Sequence, residues 1–183
     1  NALVLDLSSA IQVMDRDGDQ ITVDANSFSI TVEDDIPVQT ASTVSATVEE
    51  EGLQPGGNLD NTGDFDLAVP NNATVASGSL ATLVSVGSDQ VGTFSLNGTT
   101  SGLPVLTSNG LSVSYSVVGN TLTAYTTTAG VNTNVFTLSV TSSGDYTFTL
   151  LGQLDHAAPA AGTAVENALV LDLSSAIQVM DRD

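Results

Sequence analysis

Residues 111–140 read LSVSYSVVGNTLTAYTTTAGVNTNVFTLSV. Apolar and polar residues alternate over 111–118, 121–127 and 135–140, and Gly119-Asn120 and Gly130 separate these runs. A period of two places every second side chain on one face, so each run predicts a half-buried antiparallel strand. Gly119-Asn120, between two alternating runs, predicts a two-residue hairpin turn.

The same pattern spreads outward. Residues 28–32 (FSITV), 43–48 (TVSATV) and 146–150 (YTFTL) alternate in the same way. Asn97-Gly98, Asn109-Gly110 and Ser143-Gly144 supply further turn signals. Residues 79–86 (SLATLVSV) fit a helical turn or a strand, with strand the better reading. Residues 158–164 are Ala-rich but broken by Pro159 and Gly162. Many short strands between Gly turns predict an all-β fold, an antiparallel β-sandwich. Aromatic residues make up only 4%, so Val, Leu, Ile and Phe, with Ala as filler, must form the core.

Composition narrows the function. The chain of 183 residues carries 21 Asp and Glu against 2 Lys and Arg, a net charge of -19. Such a surface repels phosphate, which argues against nucleic acid and anionic membranes as partners. With no Cys there are no disulfides, thiolate metal sites or cysteine nucleophiles. No apolar run reaches the roughly 18 residues of a membrane-spanning helix. The opening Asn1-Ala2-Leu3-Val4 lacks the basic segment of a signal peptide. A mean hydropathy of +0.21 is too apolar for an acidic disordered chain.

Residues 1–17 and 167–183 are the same 17 residues, NALVLDLSSAIQVMDRD, at an offset of 166. A period of that length is a whole domain rather than a solenoid coil. The chain therefore reads as one period of a tandem array plus an overlap. With Asp172, Asp181 and Asp183 of the second copy set aside, one period holds 18 acids and a single base, Arg16. Pro37 holds Ile36 extended and places a linker near residues 34–38. Residues 1–34 then finish one module, and residues 35–183 form most of the next, stopping before a counterpart of 18–34. The segment 21–32 reads as a hairpin arm that the second module lacks, one that the N-terminal segment of a neighbouring molecule could supply.

The acids are clustered. Asp15-Arg16-Asp17-Gly18-Asp19 sets carboxylates on alternate residues around a glycine. Ca²⁺ takes six to eight oxygens, so such a turn suits it. It is not an EF-hand, because the glycine falls at position four and position 12 is Asn26. An ordinary Asp-Gly hairpin turn is the plainer reading of the motif alone. Glu33-Asp34-Asp35 forms a second acidic group, which a folded-back arm would return toward Asp15–Asp19. Asp181 and Asp183 repeat Asp15 and Asp17. Glu49-Glu50-Glu51 and the acids Asp60, Asp64 and Asp66 flank a long polar loop, where Glu50, Asp60, Asp64 and Asp66 are secondary candidates and a solvated loop is as good a reading. Asp155-His156 invites a catalytic reading, but strand neighbours face opposite ways and no G-x-S-x-G elbow exists. A structural role fits better, and no small-molecule substrate or enzyme activity is expected.

The order of these motifs resembles the long tandem repeats of bacterial RTX adhesins, the giant surface proteins exported by type I secretion. Tyr146-Thr147-Phe148-Thr149-Leu150-Leu151, Leu154-Asp155-His156, Leu3-Val4-Leu5-Asp6-Leu7, Asp15-Arg16-Asp17-Gly18-Asp19 and Ser29 to Pro37 carry it. The resemblance implies an immunoglobulin-like β-sandwich that extends an adhesin from the bacterial cell surface, for cell adhesion or biofilm formation, with Ca²⁺ at module junctions held by Asp15, Asp17, Asp19, Asp34 and Asp35. It implies neighbouring repeats, end to end, as partners. The glycine-rich RTX nonapeptides are not present in this sequence. The rival expectation is a ligand-binding adhesive module for ice, glycan or a receptor protein, to which the Thr-rich run 121–128 could contribute a flat face.

Overall fold

The computed structural model describes residues 2–53, 73–87, 91–157 and 168–181. The described chain is all-β, with antiparallel pairing throughout and only short 3-10 turns besides. Its first strands are β1 (Ala2–Asp6), β2 (Gln12–Met14), β3 (Gln20–Thr22) and β4 (Ser29–Glu33). There follow β5 (Val38–Gln39), β6 (Val75–Ser79), β7 (Val84–Ser85), β8 (Thr93–Leu96), β9 (Thr107–Ser108) and β10 (Leu111–Ser112). The last are β11 (Ser114–Val118), β12 (Thr121–Thr128), β13 (Val131–Val140), β14 (Asp145–Leu150) and β15 (Ile177–Met180).

The stretch 111–140 forms the centre of a five-stranded sheet in the order β11-β12-β13-β14-β6. Gly119-Asn120 makes the expected two-residue turn, with Val118 opposite Thr121 and Gly119 at φ +57. Along β12, Leu122, Ala124 and Thr126 point inward and are buried. On β13 the register slips: Ala124 faces Phe136 while Tyr125 faces Asn134. Val135 is the extra residue of this bulge, and the local kink lets the consecutive Val135 and Phe136 both enter the core.

The inner face of this sheet meets a second layer. Leu122, Leu138 and Val140 pack with Phe94 and Leu96 of β8, Leu80, Leu103 and Ala176, and Ile177 and Val179 of β15 close over them. Phe136, Leu150, Ala124 and Val135 continue the core toward Leu106 and Leu154. Opposed antiparallel layers around one continuous apolar core are consistent with the expected β-sandwich.

Every described strand before residue 34 pairs within that segment, β1 with β4 and β2 with β3. From Val38 onward every described strand pairs within the rest of the chain, beginning with β5 on β7.

Four expectations need correction. Residues 21–32 are not one hairpin arm, because β3 returns on β2 and β4 on β1. Residues 43–48 form no strand, although Val44 and Val48 do turn toward the core. Alternation fixes which side chains face inward, but a strand also needs a partner backbone in pairing distance, and 43–48 join no described ladder. In residues 79–86, a 3-10 turn at Ala81–Leu83 separates β6 from β7. Leu80 and Leu83 both reach the core there, a spacing of three that suits a helical turn. Residues 111–118 divide at Val113, whose N–H donates to Leu106 O rather than joining β11.

Thr128 and Val131 are joined by Ala129-Gly130, with φ +50 and +80. Both central residues of a type I′ turn are left-handed, a conformation that costs a β-carbon-bearing residue about 1 kcal/mol. Ala129→Gly or Ala129→Asn should therefore raise the stability to chemical denaturation by up to about 1 kcal/mol. An unchanged or lowered midpoint would contradict this turn geometry.

Candidate metal centre

The turn between β2 and β3 is a five-residue unit, Asp15 to Asp19. Asp15 N–H donates to Asp19 O at 3.0 Å, closing a three-residue loop of Arg16, Asp17 and Gly18. Gly18 takes φ +100, the left-handed position with which such loops end. Asp15 Oδ1 accepts the N–H of Gly18 at 3.0 Å and of Asp19 at 2.9 Å. These bonds fix the first carboxylate and draw the third and fifth side chains to its side. A carboxylate oxygen from each of Asp15, Asp17 and Asp19 lies within 4.8 Å of the other two. Oxygens 2.3–2.6 Å from one calcium ion can be at most about 5 Å apart, so the three fit around a single cation. Three carboxylates leave coordination positions for water or another group.

A second turn in the chain has the same backbone. Thr141 N–H donates to Asp145 O at 2.8 Å around Ser142, Ser143 and Gly144, and Gly144 has φ +89. Thr141 Oγ1 accepts the Asp145 N–H at 3.1 Å, as Asp15 Oδ1 accepts that of Asp19. Its first, third and fifth side chains are linked in series: Thr141 Oγ1 to Ser143 Oγ at 2.8 Å, and Ser143 Oγ donating to Asp145 Oδ2 at 2.8 Å. The backbone geometry therefore needs no metal. The convergence of the first, third and fifth positions is a property of the turn. Hydroxyl protons satisfy that convergence at Thr141 and Ser143, whereas three ionised aspartates have no proton to share. Such a group could hold a cation.

A hydrogen bond from the Asp17 carboxyl, then the N–H groups of Asp19 and Gly18, hold the Asp15 carboxyl below its ordinary value. The other acids are placed differently. Glu33 ends β4 opposite Ala2, and Asp34 is half-buried just beyond it. Asp35 Oδ1 accepts the Ile36 N–H at 3.2 Å, and its carboxylate lies where a β-carbon on Gly87 would stand. Among the described residues, Glu33, Asp34 and Asp35 do not join the Asp15–Asp17–Asp19 group.

Asp181 is half-buried directly after β15. Asp183, Asp60, Asp64 and Asp66 lie outside the described residues, as does the Ala-rich run 158–164. Glu50 Oε1 accepts the Leu154 N–H at 2.6 Å and lies 3.4 Å from His156 Nε2, tying residues 50–53 to the segment after β14. Asp155 accepts the Gly110 N–H at 2.9 Å. Thr107, then the N–H of Gly110, hold its carboxyl low, with His156 a minor contributor. The Asp155-His156 pair thus meets the β9–β10 hairpin on one side and residues 50–53 on the other.

Sequence reasoning missed Asp6 and Ser8. Asp6 Oδ1 accepts the Ser8 N–H at 3.0 Å and the Ser8 hydroxyl at 2.5 Å, and its Oδ2 accepts the Asn26 N–H at 3.0 Å. These bonds, led by the Ser8 hydroxyl, hold the Asp6 carboxyl low. Asp172 and Ser174 repeat the arrangement, with the Ser174 N–H at 3.0 Å from Asp172 Oδ1. The signal was the Asp-x-Ser spacing, which favours a local side-chain turn.

Comparison with family models, with curated proteins and with solved structures finds no match to this chain.

The sign of the Asp15 shift sets a pH dependence. Its folded value lies below the unfolded one, near 3.8. Ionised Asp15 therefore favours the folded turn above that unfolded value, and the contribution is lost as pH falls through the lower folded value. A carboxyl titration followed by NMR should place Asp15 below the same residue in a peptide of residues 15–19. A midpoint at or above the peptide's would contradict the turn geometry.

Proposed function

We propose that this chain is a calcium-stabilised structural extender module of a giant bacterial surface adhesin. The observation that carries the reading is the pair of matched turns: one backbone, closed by hydroxyls at Thr141 and Ser143 and by carboxylates alone at Asp15, Asp17 and Asp19. A calcium ion supplies the positive charge that the Asp15–Asp19 turn lacks. Neighbouring repeats of the same chain are its partners, end to end, and identical copies suit reach and stiffness because each added unit lengthens the array without changing its chemistry. The resemblance to RTX adhesin repeats supports an immunoglobulin-like topology and an extracellular location on the bacterial surface after type I secretion. The role needs no catalysis.

The ion binds the folded hairpin, so it stabilises the fold by mass action, about 2.7 kcal/mol at a hundredfold excess over Kd. Calorimetric melting in calcium should exceed melting in chelator by roughly 5–10 °C. Asp17→Asn combined with Asp19→Asn should abolish that difference. A melting temperature indifferent to calcium in the parent chain would refute the reading.

A second reading has one observation in its favour. On the outer face of the five-stranded sheet, Thr123, Thr137 and Thr149 stand in register, beside a row of Thr121, Ser139, Thr147 and Ser77. Such a hydroxyl lattice suits a ligand-binding adhesive module for ice or glycan. Thr137→Lys should then abolish ice or glycan retention by the chain, whereas no retention by the parent chain would leave the face as ordinary exposed sheet.

A further inference from the structure

The identical segments 2–15 and 168–181 sit in different surroundings, and each shows half of one interface. In the C-terminal copy, Ala176 is fully buried, and Leu173, Ile177 and Val179 pack on the core. Asn97 N–H donates to Ala176 O at 2.9 Å, and β15 runs antiparallel on β8. In the N-terminal copy Ile11 stays half-buried but the other matching residues face solvent: Ala10 is exposed, Leu7 is 39% exposed and Val13 51%. That copy is instead held from another side. Leu7 N–H donates to Phe28 O at 2.9 Å, Ser8 Oγ accepts the Phe28 N–H at 3.0 Å, and Asp6 Oδ2 accepts from Asn26.

The two sets of partners do not compete. Asp15 N–H to Asp19 O marks residues 15 and 19 as a hydrogen-bonded pair, so Val13 and Ile21 are the next such pair. The backbone groups of Gln12 and Met14 then point to the opposite edge of β2. On the C-terminal copy, the bond from Asn97 to Ala176 makes Gln178 with Ser95 and Met180 with Thr93 the bonded pairs. Gln178 and Met180 are the counterparts of Gln12 and Met14. One strand of this sequence can therefore hold β3 on one edge and a β8 strand on the other. Among the described residues, β2 has β3 alone.

We propose that the open edge of β2, with Leu7, Ala10 and Val13 beside it, docks onto β8 of a second copy of this chain, taking the place of residues 173–180. The interface is head to tail, an exchange of identical elements. The same residues of the arriving segment restore the core packing that the displaced one vacates, and they bring β3 as a further strand. The resident segment has the advantage of belonging to the same chain, so exchange grows with protein concentration. None of this depends on the cation at Asp15–Asp19.

Disulfide trapping tests it, because the chain has no native Cys. Gln12 and Ser95 lie outside the fully buried core. Bonded antiparallel pairs have Cα atoms about 5.5 Å apart, within disulfide reach. One full-length chain carries Gln12→Cys and a second, of different tag length, carries Ser95→Cys. On mild oxidation at high concentration the mixed dimer should exceed both homodimers. Ala10→Arg in the first chain should remove that excess, and Ala176→Arg in the second, by expelling the resident segment, should increase it. A single chain with Gln178→Cys and Ser95→Cys should close internally. Mixed product no greater than the homodimers, or insensitive to Ala10→Arg, overturns the proposal, as does failure of the internal pair to close.

Discussion

The backbone of a strand must place its N–H and C=O groups somewhere, and this requirement governs the structure more than any side-chain preference. The chain contains its own demonstration. Residues 2–6 form β1 because β4 lies beside them. The same residues at 168–172 form no strand, since they have no neighbouring strand among the described residues. Conversely, the 3-10 turn at Ser8–Ala10 recurs at Ser174–Ala176, with Leu7 and Leu173 at nearly the same φ of -104 and -108. That turn is held locally by Asp6 or Asp172, so it survives a change of surroundings. Local hydrogen bonds are carried by the sequence, whereas ladders are supplied by the partner.

The same distinction organises the charge. An acidic side chain at the first position of a tight turn can be satisfied by the turn's own N–H groups, as Asp15 is by Gly18 and Asp19. The carboxylates at the third and fifth positions have no such relief, and the turn itself brings them to the first. Comparison with Thr141, Ser143 and Asp145 isolates the effect of charge from that of backbone. Other acids meet donors elsewhere in the chain. Glu50 holds the Leu154 N–H and meets His156, and Asp155 holds the Gly110 N–H. Among the described residues, Asp6, Asp35, Asp145 and Asp172 also serve as hydrogen-bond acceptors, and the converging carboxylate triad falls at one turn.

What the sequence revealed follows the same line. β12, β14 and the Gly119-Asn120 and Asn109-Gly110 turns were legible because alternation and a left-handed residue are local facts. The Asp15–Asp19 cluster was legible for the same reason. Residues 43–48 were not, because alternation is silent about whether the backbone meets a partner strand. The pairing of 21–32 was misread because β3 and β4 each had a better partner earlier in the chain. Where Glu33–Asp35 stand relative to Asp15–Asp19 is a matter of topology rather than of residues, so no local pattern fixes it. The bulge at Val135 could not be seen in an alternating pattern that continued through it at 135–140.

Native-state hydrogen exchange at low protein concentration tests most directly that partners, not sequence, decide the state of these segments. The amides of Gln178 and Met180 face β8, while those of Gln12 and Met14 face an edge with no partner strand among the described residues. Strong protection is expected at Gln178 and Met180 and little at Gln12 and Met14, although the residues and their neighbours are the same. Equal protection of the two copies would contradict the primacy of the partner strand.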